Sequence, residues 1–187
     1  LNGQWKSLRV TGFAIVVVDS NGSLIGSVFG SPPSHINTAA ASELWAVQVV
    51  LAECPFTPRV NTACLSIIAA ATAGTTHATH HSKALARTWN SIASLLKMDL
   101  AIFASTGKMT WVPAHLPPTV VGEKRGSDGI RLTPVDWRAS RLVDALAKVG
   151  AAMFAQFPET EKLVCSATAL VRHCLCQLAE ATHRANN

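Results

Sequence analysis

Three residues in this chain are of the types, and in the positions, that proton transfer or metal chemistry would use. Glu43 stands one turn into an otherwise apolar helix start, "TAAASELWAV". Asp144 stands between Val143 and Ala145 in "SRLVDALAK", within the last strongly patterned helix. Two acids on helices that face one sheet edge can jointly hold a hard cation such as Mg²⁺, which takes oxygen ligands. His115 follows a short strand in "MTWVPAHLPP" and opens a loop, where an imidazole is free to shuttle a proton near neutral pH. Each residue alone also fits a plainer role: a half-exposed helix acid for the two carboxylates, a polar turn residue for the histidine. With only eleven Asp and Glu in 187 residues, few other carboxylate constellations are possible.

Two histidine or cysteine clusters read differently. "HATHH" brings His77, His80 and His81 close in sequence, but no Cys or acid accompanies them to complete a metal site. Cys174 and Cys176 flank Leu175 beside His173, and on a helix residues two apart point to different sides, so buried thiols are expected there rather than zinc. Five cysteines at irregular spacing argue against a disulfide framework and for a reducing, intracellular compartment.

Several elements must position these groups. "GFAIVVVDSNGSLIGSVFG" predicts a hairpin, with strands Phe13–Val18 and Leu24–Phe29 around an Asn-Gly turn. A helix is expected to start near Asn37 or Thr38 and to close before Pro55 and Pro58. "RVNTACL" reads as a strand and "LSIIAAATAG" as a helix that stops at Gly74. Residues 82–97 carry Leu85, Trp89, Ile92 and Leu96 on one amphipathic stripe. A strand of about five residues is expected at "MTWVP". A polar loop with three glycines spans 116–132, and a helix follows with Thr133 as its N-cap and Pro134 at its first position. A final helix is expected over 160–183. Strands alternating with helices predict an α/β class, and the early hairpin predicts a mixed sheet.

Composition narrows the function. Hydrophobic residues make up 49% and charged residues 14%, which excludes general disorder. No apolar run reaches the length of a membrane span, so no membrane partner is expected. The net charge of +5 favours an anionic partner. The excess lies in residues 83–148, which hold ten Lys or Arg against five Asp or Glu, while the rest of the chain holds six against six. The chain opens on Leu1, as a fragment or a processed product would.

Taken together, "GFAIVVVDSNG", "TAAASELWAVQVVL", "VNTACLSII", "MTWVPAHLP" and "LTPVDWRASRLVDALAK" resemble the ribonuclease H family in order and spacing. More narrowly, they are similar to the ribonuclease H domains of non-LTR retrotransposon reverse transcriptases. The resemblance covers residues 1–150 and leaves 151–187 as a C-terminal helical extension, expected to pack on the same domain. It implies a five-stranded mixed sheet flanked by helices, in which "GFAIVVVDSNG" supplies the second and third strands. It also implies hydrolysis of the RNA strand of an RNA–DNA hybrid by four carboxylates holding two Mg²⁺ (or Mn²⁺) ions, assisted by a loop histidine.

Carried over by position, the helix Glu is Glu43, the last-helix Asp is Asp144 and the histidine is His115. The other two acid positions fall on Ala63 and Asn2, so the resemblance implies a vacated site. Asp19 is a poor substitute, because it sits at the hairpin turn. Lys83, Arg87 and Trp89 occupy the helix region that relatives use to grip the hybrid, although Trp89 also fits the core stripe. Lys124, Arg125, Arg138 and Arg141 extend the basic section. The expectation is a ribonuclease H-like domain inactive as a hybrid nuclease. The alternative is a non-catalytic module that binds structured RNA, or a scaffold with protein partners in a larger complex.

Overall fold

The computed structural model describes residues 10–19, 21–155 and 158–186. Its elements run in the order β1 (Phe13–Val18), β2 (Leu24–Gly30), α1 (Ala39–Glu53), β3 (Val60–Thr62), α2 (Leu65–Thr72), α3 (Thr75–Ala78), α4 (Ala86–Leu96), α5 (Leu100–Ser105), β4 (Met109–Trp111), α6 (Pro134–Met153) and α7 (Pro158–Asn186). The α/β class follows directly from this order. The chain divides into a unit that holds β1 to α6 and a second that holds α7.

The hairpin forms as its turn chemistry requires. Asp19 Oδ1 accepts from the backbone N–H groups of Asn21 and Ser23, at 2.9 and 2.8 Å, and Gly22 takes the positive φ of 81° that a side chain would resist. Asp19 is thereby committed to the turn. β1 and β2 pair antiparallel, with Phe13 opposite Gly30 and Val17 opposite Gly26. β3 and β4 pair in parallel, Thr62 opposite Trp111.

The described residues thus carry four strands in two two-stranded sheets, rather than the one five-stranded sheet expected. A first strand ahead of "GFAIVVV" would fall among residues outside the described ones. Two expected strands are also shorter. "RVNTACL" yields only Val60–Thr62, because Cys64 already caps α2, and "MTWVP" yields Met109–Trp111 before Pro113, which cannot donate to a ladder.

Helix starts follow their caps. Thr38 Oγ1 accepts from Ala41 N–H at 3.2 Å and starts α1. At α6 the full capping box forms: Thr133 Oγ1 accepts from Asp136 N–H, and Asp136 Oδ2 accepts from Thr133 N–H. α4 begins at Ala86, not at Ser82, and ends where Lys97 turns left-handed at φ 53°. α3 and α5 are additional to the expected elements. α5 is capped by Asp99, whose Oδ1 accepts from Ala101 N–H at 2.7 Å.

The main core lies among α1, α2, α3, α4, α5 and β4, centred on Leu44, Ile67, Trp89, Ile92, Leu100 and Phe103. α6 packs instead on the hairpin. Glycines permit that approach: a Cβ on Gly150 would lie 2.5 Å from the Gly30 carbonyl oxygen, and one on Gly12 would overlap the Ala147 carbonyl. α6 extends past residue 150 to Met153, so the resemblance boundary falls inside this helix.

Candidate functional site

The site grows from the C-terminal end of β3. Thr62 is 6% exposed, and a buried hydroxyl requires a partner. Its Oγ1 donates to Glu43 Oε2 at 2.7 Å, a charge-assisted bond from strand to helix. The same oxygen accepts from Cys64 N–H at 3.1 Å. One hydroxyl therefore fixes the turn after β3 and orients the half-buried Glu43 carboxylate. Glu43 reaches this point because Thr38 caps α1 one turn earlier.

Ala63 lies between these two anchors and is exposed. Its carbonyl oxygen accepts from Trp111 Nε1 on the neighbouring strand at 2.9 Å. The backbone at residue 63 is thus held from both sides, while its side chain is a methyl group that can neither ligate nor accept.

His115 follows β4 and adopts a left-handed φ of 59°, an uncommon conformation for a side-chain-bearing residue. Its Nδ1 meets Asp144 Oδ2 at 2.9 Å, with the imidazole 74% and the carboxylate 29% exposed. A second bond fixes this contact: Trp137 Nε1, on the first turns of α6, donates to the Leu116 carbonyl at 2.9 Å. Loop and helix are therefore joined at adjacent residues. The capping box at Thr133 sets where α6 starts and so where Asp144 falls along it.

The structure accordingly brings His115 to Asp144, and Glu43 to Thr62. Asn2 lies outside the described residues. Among the described residues no group of three or more His, Cys, Asp or Glu side chains converges as a metal site. The Glu43 carboxylate is engaged by a hydroxyl, that of Asp144 by an imidazole, and Ala63 offers no donor. This donor set does not fit a centre of four carboxylates around two Mg²⁺ or Mn²⁺ ions, so no chemical step is derived through such ions.

Of the residues expected to meet nucleic acid, Lys83, Arg87, Lys124, Arg125, Arg138 and Arg141 are all exposed. Arg125 also donates to the Gly129 carbonyl at 2.6 Å, which braces the glycine-rich loop. Trp89 is 2% exposed within the core, and its ring is not available for stacking on a base. The amphipathic stripe that carries it already contained this answer.

Two features were not read from the sequence. Thr62 as the partner of Glu43 had a weak signal, a hydroxyl at the end of a buried strand. The second is an open apolar groove of about 350 Å³ between α2, α3 and α4, lined by Ile67, Ala70, Leu85 and Trp89 with His77 and Lys83. It arises from helices whose spacing no motif announces. No helix among the described residues is long and apolar enough to cross a membrane. No family model, no curated protein and no solved structure matches the chain.

Proposed function

We propose that the chain is a ribonuclease H-like domain, of the kind attached to non-LTR retrotransposon reverse transcriptases, that has lost hydrolysis of RNA–DNA hybrids. On this reading β1 and β2 are the second and third strands of the family's sheet, β3 and β4 the fourth and fifth, and α1 and α6 carry its helix acids. The observation that supports it best is the linkage of α1, β3, β4 and α6 by side chains at the expected positions. Glu43 meets the end of β3, Trp111 of β4 holds residue 63, and the loop after β4 meets Asp144.

The loss of activity rests on charge. Two divalent ions carry four positive charges, and four carboxylates nearly balance them. With Ala63 and Asn2 in place of two acids, only Glu43 and Asp144 remain to do so. An Asn oxygen ligates weakly and carries no charge. In this reading the two remaining acids have taken other partners, Thr62 and His115, which satisfy them without a metal.

The surface role that remains is binding. Exposed cations at Lys83, Arg87, Lys124, Arg125, Arg138 and Arg141 suit a phosphate backbone, read by groove shape and 2′-OH groups rather than by base identity. The substrate class is an RNA–DNA hybrid or structured RNA, held but not cut. Incubation of the full chain with a labelled hybrid in Mg²⁺ or Mn²⁺ tests the reading: retention without cleavage is expected, and metal-dependent cleavage contradicts it.

A further inference from the structure

α7 runs for 29 residues and carries its large apolar side chains on the outside. Leu163, Leu170, Val171, Leu175 and Leu178 are all more than half exposed, with Leu163 at 70%. Helix propensity alone is marginal in water, and burial of an apolar face supplies most of a helix's stability. A contiguous exposed apolar stripe therefore marks a surface that meets something. That something is not a bilayer core, because no helix among the described residues is long and apolar enough to cross a membrane.

The stripe has a period of seven. Val164, Val171 and Leu178 recur at seven-residue steps, and Ala167, Cys174 and Ala181 follow each of them by three. These are the two core positions of a heptad, and a strict seven-residue repeat is the pattern of a helix that winds around another helix. Leu163 and Leu170 flank the seam on one side and Leu175 on the other. We infer that α7 is a dimerisation helix, on which the α7 of a second copy of this chain lies antiparallel as a two-stranded coiled coil.

Side-chain size selects both the occupant and its direction. One set of seam residues is large and the other small. An antiparallel pair with its two-fold axis between Arg172 and His173 sets Val164 opposite Ala181, Leu178 opposite Ala167 and Val171 opposite Cys174. Every layer then holds one large and one small side chain, so the two helices keep one separation along the seam. A parallel pair in register would set Ala167 against Ala167 and Leu178 against Leu178, alternating voids with crowding. Charge agrees with size. Glu159 and Glu161 lie in the first turn and Arg184 in the last, so antiparallel copies bring the acidic end of each beside the basic end of the other. Arg184 also holds Glu180 on its own helix, and its guanidinium has further N–H groups to donate. The three acids of α7 balance its three Lys and Arg residues, so two copies carry no net repulsion. The two-fold axis makes the contact self-complementary and closed, and it stops at a dimer.

The test is sedimentation equilibrium of the full chain over about a hundredfold range of concentration, with Ala167→Glu and Leu178→Lys singly and together. Both positions are exposed in the single chain, so neither change disturbs its core, and far-UV circular dichroism checks the fold of each variant. A reversible monomer–dimer equilibrium is expected. Each single change should weaken it by about tenfold or more, because it buries an unpaired charge in the seam. The double variant should recover most of that loss, since the introduced carboxylate of one copy meets the introduced ammonium of the other. Within one helix the two positions stand about 16 Å apart and cannot pair. A monomer at every concentration overturns the inference, and so does a dimer that the single changes leave intact. A double variant no tighter than the weaker single one overturns the antiparallel register, and open-ended assembly overturns the closed dimer.

Discussion

At the scale of single residues, Thr62 does more than any other to shape the site. Its hydroxyl donates to Glu43 and accepts from Cys64 N–H. Replacement by valine keeps the shape and removes both bonds, leaving a half-buried carboxylate and a backbone donor without partners. Thr62→Val should lower unfolding free energy by about 1–3 kcal/mol, measured by denaturant titration. An unchanged midpoint would mean that water replaces the hydroxyl without cost. Asp99 offers a second residue-level test. Hydrogen bonds from the backbone N–H groups of Ala101 and Thr75, and then from the Thr75 side chain, hold its carboxyl below the ordinary value of 3.8. A depressed folded value stabilises the fold above the unfolded value, and that contribution is lost as pH falls through the folded one. The loss should therefore fall below about pH 4. Asp99→Asn should flatten that part of the stability profile, and an identical acid limb in the variant would contradict the assignment.

Elements differ in how openly the sequence announced them. The hairpin, α1 and α6 were legible because their punctuation is local: Asn21-Gly22 for the turn, Thr38 for one cap, and Thr133 with Asp136 for the other. α3 and α5 were not, because four- and six-residue helices have too few turns to establish a period. β3 and β4 were legible in place but not in length, since Cys64 and Pro113 end them early. Within the site, Glu43, His115 and Asp144 stood out by residue type. Thr62 did not, because its role depends on a helix that lies nineteen positions upstream. The seating of α6 on the hairpin gives the element-scale prediction. Gly150→Ala places a Cβ against the Gly30 backbone, which cannot yield as a side chain would. It should cost about 1–3 kcal/mol despite alanine's higher helix propensity. A stabilised variant in thermal melts would show that α6 can lift away freely.

Across the whole molecule, charge and exposure divide the labour. Residues 20–42 contain no Asp, Glu, Lys or Arg, whereas the surplus cations lie in residues 83–148. On the reading proposed above, Ala63 and Asn2 stand where the ribonuclease H family carries two acids, while the framework around residue 63 is intact. Thr62 and Trp111 still fix the turn around residue 63, and Trp137 still anchors the loop that carries His115. The measurement that tests this most directly is a cleavage assay on a labelled RNA–DNA hybrid, in Mg²⁺ and in Mn²⁺, with the wild-type chain and Glu43→Gln side by side. The account predicts intact RNA strands in both. Cleavage by the wild type that disappears in Glu43→Gln would contradict it.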